Sequence, residues 1–289
     1  MQYKQAILFI KPEEPSALPL MKMVCSHLQD AGIPTFTVHS EKGLFKASPT
    51  LKDVPTVDGI NLPEGPTLAI VLGGDGTFLA ASRYLHKHDA HITGVNLGRL
   101  GFLTEVEPED IIGHLKCIAA GKTTIEERPY FLVHVERDGE KVFDPRPILN
   151  DAVLQRNSDE KMVQFDLSIN GHFVTSARGD GIILSTPTGS TAYNLSSGGP
   201  IIYPTLDALV MTPISPHTLS FRPVIIPTGE VRLTSISQVG HLSLDGRRNM
   251  DVEEGDTVVI RKAEETLKII HRMDRNFYDL LRRKLKWVE

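Results

Sequence analysis

The sequence predicts an α/β + β protein: an N-terminal Rossmann-like open α/β domain followed by a β-rich, sandwich-like domain. Three observations predict it. Between Gln5 and Ala120, short apolar runs alternate with stretches whose apolar residues recur every three or four positions, the pattern of β-α-β units around a parallel sheet. Beyond Glu127 the period changes to two, and the pairs Asp138-Gly139 and Asn170-Gly171 supply hairpin turns. The stretch from Thr67 to Thr77, T-L-A-I-V-L-G-G-D-G-T, joins an apolar strand to a glycine-rich turn that leads into a helix.

The elements follow in order. Gln5 to Ile10 reads as a first buried strand. Leu20, Met23, Val24 and Leu28 recur at helical spacing, and Gly32 closes that helix. Thr35 to His39 is a second strand, and Lys42 to Pro66, rich in Pro, Gly and charge, reads as an irregular mobile loop. A strand at Leu68 to Leu72, a helix at Phe78 to His88 and a strand at Ile92 to Val95 come next. Glu109 to Ala120 is a helix with Ile111, Ile112, Leu115 and Ile118 on one face. In the second region strands are expected at Tyr130 to Val135, Phe165 to Ile169, Gly181 to Leu184, Val224 to Ile226 and Val231 to Thr234. Further strands are expected at His241 to Leu244, Thr257 to Ile260 and Leu267 to Ile270, with short helices around Ala192 to Ser197 and Thr205 to Val210. Asn276 to Trp287 is apolar and basic at helical spacing. The expected division is residues 1–126, 127–270, and a tail of 271–289 that returns to the first domain.

Composition narrows the function classes. The chain has 289 residues, 40% hydrophobic and 23% charged, within the range of ordinary globular proteins. A formal net charge of -5 argues against nucleic acid or an anionic membrane as partner. No apolar run approaches the roughly 20 residues of a membrane span, and Met1 to Ile10 lacks the long apolar region of a secretory signal. Two cysteines, Cys25 and Cys117, give neither a disulfide framework nor zinc spacing, and read as buried thiols in a reducing cytoplasm.

Three segments carry candidate chemistry. In Gly73 to Thr77 the glycines let backbone N–H groups approach a phosphate. Asp75, in the middle of that turn, repels phosphate. Its presence makes sense if it takes a proton from an attacking hydroxyl or holds a magnesium ion. Asn96 to Thr104, N-L-G-R-L-G-F-L-T, is a second glycine-rich turn at the carboxyl edge of the sheet, with Arg99 for a phosphate and Phe102 for a pocket wall or the core. Within Ser176 to Pro204, Ser185 to Thr191 offers hydroxyls and N–H groups just before a short helix at Ala192, and Tyr193 offers a flat face for a base. Arg178 and Asp180 face opposite sides of an extended strand unless a bulge at Gly179 re-aims one. Gly121-Lys122-Thr123 lacks the first glycine of a P-loop, and His86, His88 and His91 straddle a helix end, so neither carries a site.

Taken together these residues resemble the NAD kinases. The resemblance runs through G-G-D-G-T at Gly73 to Thr77, N-L-G-R-L-G-F-L-T-E at Asn96 to Glu105, and Asn150-Asp151. It continues through D-G-I-I-L-S-T-P-T-G-S-T-A-Y at Asp180 to Tyr193, S-G-G-P at Ser197 to Pro200 and P-H-T-L-S-F-R-P at Pro216 to Pro223. It implies phosphorylation of the adenosine ribose 2′-hydroxyl of NAD by ATP, giving NADP and ADP, with Asp75 as general base and magnesium accompanying ATP. It implies that residues 127–270 bind the dinucleotide. Gly74, Asp75 and Gly76 would form the glycine-turn part of the site, with Asn150 on adenine and Asp151 on ribose. Thr191, Ala192, Tyr193, Asn194, Leu195 and Ser196 would line the dinucleotide site. Asp180 and Arg178 would reach the nicotinamide end, one of them from a neighbouring subunit of a homodimer or homotetramer. Lys161 falls where the family has a basic or polar contact, and Arg247 stands where the family has glutamine, in Asp245-Gly246-Arg247. A lipid kinase of the same superfamily would need a wide apolar groove, whereas Ser176 to Tyr193 is small and polar. A dinucleotide sensor with a dead site would lack the carboxylate that Asp75 supplies.

Overall fold

The computed structural model describes residues 3–11, 17–39, 56–58, 64–157, 161–236 and 240–287. The chain divides into two compact units, Met1–Glu127 with Leu267–Glu289, and Arg128–Thr266.

In the first unit β1 (Gln5–Ile10) leads through α1 (Ala17–Asp30) to β2 (Thr35–His39) and β3 (Thr56–Asp58). Then β4 (Thr67–Gly73), α2 (Asp75–Leu85), β5 (Ala90–Asn96) and α3 (Ile111–Ala119) complete the alternation. The strands are all parallel, in the order β3-β2-β1-β4-β5. Ala6 and Leu8 of β1 share a core with Met21, Val24 and Leu28 of α1 and with Leu115 of α3. Phe9, of opposite parity, meets Tyr84 of α2 edge to face. Helices therefore cover both faces, which is why these strands are apolar throughout.

Local details depart from the sequence reading. Met21 is buried and Met23 is 43% exposed, because Ala17, Leu20, Met21, Val24 and Leu28 form the stripe at helical spacing and Met23 lies off it. Helix α2 begins at Asp75 rather than Phe78, and ends at Leu85 rather than His88. The Gly74 carbonyl already accepts from Thr77 and Phe78 N–H, each at 3.0 Å, so the glycine turn is the first turn of the helix. Cys25 and Cys117 are free and half-buried, not fully buried. Of the stretch read as an irregular loop, Thr56–Asp58 is a strand; 42–55 and 59–63 lie outside the described residues.

The second unit is built of two sheets. Strands β6 (Thr123–Arg137) and β7 (Glu140–Ile148) form a hairpin over Asp138-Gly139. Next come β8 (Asp151–Arg156), then β9 (Val163–Ile169) and β10 (His172–Gly179), which form a hairpin over Asn170-Gly171, and β11 (Gly181–Ser185). Both turn pairs have two positive φ values, 50° and 83°, and 50° and 77°, as a twisted two-residue hairpin needs. After a 3₁₀ turn at Thr188–Thr191 and the short α4 (Tyr193–Ser196) come β12 (Ala208–Ile214), β13 (Val224–Pro227), β14 (Val231–Ser235), β15 (Gly240–Leu244), β16 (Arg247–Val252) and β17 (Thr257–Arg272). One sheet has the order β13-β12-β11-β8-β15-β16, while β10-β9-β14-β17 runs through the other. Between them Phe165, Leu167, Ile182, Leu184, Leu233 and Leu242 belong to one core.

One reading fails here, and another is extended. Thr205 to Val210 is no helix: Ala208–Ile214 is a strand bonded on both sides, to β11 and β13, and pairing outweighs local propensity. The runs at Thr257 to Ile260 and Leu267 to Ile270 are one strand, whose charged middle is largely exposed. Its start pairs with β14, and Lys268 and Ile269 pair with β5. Helix α5 (Phe277–Leu285) follows, capped by the Asn276 side chain on Tyr278 N–H, with Phe277, Leu280 and Leu281 buried.

Candidate active site

The order of the parallel sheet reverses between β1 and β4. Ligands of open α/β folds bind at the carboxyl ends of strands at such a switch point. Gly73 ends β4, and Gly74-Asp75-Gly76 opens α2 there. The first N–H groups of a helix have no intrahelical partner and carry its positive dipole end, so they suit a phosphate. A Cβ built on Gly74 or Gly76 meets nothing within 4 Å, which leaves the backbone open to a ligand. Gly73 serves packing instead, since a Cβ there would come within 2.8 Å of Thr77 Cβ.

The carboxylate of Asp75 turns into the second glycine-rich segment. Its Oδ2 accepts from Phe102 N–H at 2.8 Å. Its Oδ1 accepts from Leu103 N–H at 3.0 Å, Thr104 N–H at 3.1 Å and the Thr104 hydroxyl at 3.2 Å. An ionised carboxylate has about four lone-pair sites. Three donors crowd Oδ1 and one meets Oδ2, so Oδ2 is the atom with acceptor capacity left. Gly101 makes this wrap possible, because a Cβ there would run into Asp75 Oδ1 and lie 2.6 Å from Thr104 Oγ1. Arg99 is exposed. Phe102 is half-buried, with the Lys284 ammonium 5.4 Å from its ring centre.

In the second unit Asn150 and Asp151 lie where the chain enters β8. Asp245, in the turn Asp245-Gly246, accepts from Leu149, Asn150 and Asp151 N–H, the Asn150 contact being 2.7 Å. Asp151 is 4% exposed. Burial, and then the neighbouring Asp245 charge, push its carboxyl up to about 7. Gly189 packs directly on the Asn150 carbonyl, where a Cβ has no room. Asn194 is fully buried, and its side chain is spent inside the protein. It donates to Ser190 and Pro200 carbonyls at 2.9 and 3.0 Å and accepts from Thr212 Oγ1 at 2.6 Å. Beside it Thr191, Ala192 and Leu195 are half-buried, and Tyr193 and Ser196 are exposed.

Asp180 is the bend between β10 and β11, and the irregularity of β10 lies at Phe173–Thr175 rather than at Gly179. Asp180 and Tyr193 line one cavity of about 470 Å³, together with Arg156 and Arg248. Arg178 lines another, of about 190 Å³, with Thr218, Ser220 and Phe221. Asp180 is engaged by Arg156, whose Nε donates to Oδ1 at 2.7 Å. Lys161 lies exposed ahead of β9, and Arg247 is exposed at the start of β16. Arg156, Arg248 and the Asp245 cradle are absent from the sequence-derived reading of how the site is held. Of these only the Asp-Gly turn pair carried a local signal. Among the described residues, no three His, Cys, Asp or Glu side chains converge as a metal cluster would.

Comparison with known proteins follows the same two parts. The ATP-NAD kinase N-terminal domain matches residues 6–123, and the ATP-NAD kinase C-terminal domain matches residues 149–272. An NAD kinase of Magnetococcus marinus is 44% identical over 245 residues, 84% of this chain and 80% of the relative. An NAD kinase of Methylococcus capsulatus is 38% identical over 291 aligned residues, 99% of this chain and 98% of the relative. Among solved structures, a yeast NADH kinase complexed with NADH superposes with a TM-score of 0.87 at 26% identity, covering 99% of this chain and 89% of the yeast chain. An NAD kinase from Archaeoglobus fulgidus in complex with ATP shares the fold, with a TM-score of 0.71 at 21% identity, covering 99% of this chain and all of that one.

Proposed function

The chain belongs to the NAD kinase family, and on that premise we propose which of its residues carry the reaction. The enzyme phosphorylates NAD with ATP, giving NADP and ADP. The acceptor is the 2′-hydroxyl of the adenosine ribose. The observation that carries the mechanism is the asymmetric hydrogen bonding of Asp75, which fixes the carboxylate through Oδ1 and leaves Oδ2 with one donor. Asp75 Oδ2 takes the proton of the hydroxyl as its oxygen bonds to the γ-phosphorus and the bond to the ADP oxygen breaks. Backbone N–H groups at Gly74 to Gly76 face the phosphates. Magnesium would come with ATP and would offset the charge on the transferring phosphates.

In the dinucleotide site Asn150 meets the adenine edge and Asp151 the ribose. Thr191, Ala192, Tyr193, Leu195 and Ser196 line the walls, and Asn194 holds that wall from inside. Asp180 receives the nicotinamide carboxamide. Arg178, with its separate cavity, serves the neighbouring subunit of a homo-oligomer. Lys161 and Arg247 are exposed cations suited to the dinucleotide phosphates. Free Cys25 and Cys117 favour a reducing compartment, the cytoplasm.

A coupled assay of NADP formation from NAD and MgATP, with calorimetric NAD binding alongside, tests the mechanism. Asp75→Asn should lose about 10²–10⁴-fold in turnover and keep NAD binding, because the base acts only as the hydroxyl attacks. Near-normal turnover would remove Asp75 as the base.

A further inference from the structure

The loop that grips Asp75 is itself gripped at both ends by the C-terminal segment. At one end, Glu105 follows directly after Thr104, the residue that donates twice to Asp75. The Glu105 carboxylate meets His271 Nδ1 at 2.5 Å and accepts from Arg275 Nε at 2.7 Å. Arg275 Nη1 donates to Glu126 at 3.0 Å, and His271 Nε2 lies 3.6 Å from the same carboxylate group. His271 is the penultimate residue of β17, and Arg275 immediately precedes Asn276, the cap of α5. At the other end, Lys284 of α5 donates to the Leu100 carbonyl and lies over the Phe102 ring.

These groups are nearly dry: the side chains of His271 and Arg275 are 4% and 10% exposed, and those of Glu105 and Glu126 are 18% and 15% exposed. The pairing holds the Glu105 carboxyl below its usual range despite an opposing effect of burial, through the His271 and Arg275 contacts. Arg275 Nη2 is buried with no partner among the described residues. The other two nitrogens of the guanidinium bridge the loop end to Glu126.

We propose that Glu105, Arg275 and Lys284 are positioning residues, through which the C-terminal segment sets the Phe102–Thr104 N–H groups and thereby the direction of Asp75 Oδ2. This rests on the reading of Asp75 as the base. Proton abstraction is sensitive to position, and an error of about 1 Å made far from the chemistry can cost about 10²-fold. The clasp acts on kcat, because it aims a carboxylate and touches neither substrate.

The test uses full-length enzyme with Arg275→Ala, Arg275→Lys and Lys284→Met, each also combined with Asp75→Asn. Thermal unfolding, kcat and both KM values are measured. Arg275→Ala and Lys284→Met should each lower kcat about 10–100-fold, with either KM changed by less than about 3-fold. Arg275→Lys keeps the charge and should recover part of the loss. In the Asp75→Asn background the same substitutions should change the residual turnover by less than about 2-fold, since the group they aim is gone. Folded variants with unchanged kcat, or losses that appear only in KM, overturn the clasp. Equal losses with and without the Asp75 carboxylate also overturn it. Asp75→Asn with near-normal turnover fails the base assignment instead, and the inference falls with it. If Arg275→Ala does not fold, Lys284→Met decides, as that side chain sits at the outer end of α5.

Discussion

Asp151 and Asp245 show how neighbouring carboxyls part company. Asp245 accepts three backbone N–H groups, while burial and the Asp245 charge raise the Asp151 carboxyl from 3.8 to about 7. Between about pH 4 and 7 the folded chain holds a proton that the unfolded chain has released. Stability from this group is therefore complete below about pH 4 and declines as pH rises to about 7. The whole decline amounts to roughly 4 kcal/mol at most. Urea melts at pH 5 and pH 8 should show the decline in the wild type, and Asp151→Asn should remove most of it. An equal decline in both proteins would assign the effect elsewhere. None of this is readable from the dipeptide Asn150-Asp151, because Asp245 lies 95 residues from Asn150 and only folding makes them neighbours.

At the scale of the element, the segment Thr188 to Ser196 has little regular structure of its own. A 3₁₀ turn and a four-residue helix are too short to hold themselves. Asn194 supplies the missing rigidity by joining its helix to the 3₁₀ turn at Ser190 and tying both to Pro200 and β12. Asn194→Ala should destabilise the protein by about 2–4 kcal/mol, since it strands buried partners on both sides. It should also raise KM for NAD as the wall loosens. Asn194→Asp should not rescue either quantity, because a carboxylate cannot donate to two carbonyls. Thermal unfolding and steady-state kinetics of both variants check this, and a wild-type KM in either one would detach Asn194 from the dinucleotide wall. The small, polar sequence of this segment suggested a site, and the short helix expected around Ala192 to Ser197 is found at Tyr193–Ser196. At Ala208–Ile214, by contrast, pairing on two sides made a strand where Thr205 to Val210 read as helix.

At the scale of the whole molecule, the separate cavities of Arg178 and Asp180 bear on assembly. The edge strands β10 and β13 expose Phe173, Val174, Val224 and Ile225, at 67%, 45%, 43% and 52%. Exposed apolar edges of this kind favour association with another copy. If the composite site exists, mixing inactive Asp75→Asn protein with inactive Arg178→Ala protein should restore measurable NADP formation once subunits exchange, because the site with intact Asp75 and Asp180 then receives an intact Arg178 from its neighbour. No recovery after exchange verified by mass spectrometry would mean that each chain completes its own site.

The sequence by itself determined the fold class, because strand and helix periodicities and the turn pairs Asp138-Gly139 and Asn170-Gly171 are set within a few residues. It also located the glycine turn at the end of a strand, since an apolar run followed by glycines has few other readings. Only the tertiary structure decided how Asp75 is held, which of its oxygens keeps acceptor capacity, and that Arg156 engages Asp180. Those contacts join residues 24 to 29 positions apart, and the clasp on Glu105 reaches 166 positions to His271. Periodicity reports which face of an element is buried. It carries no information about which distant side chain that face will meet, because the meeting is set by strand order and packing rather than by local conformation.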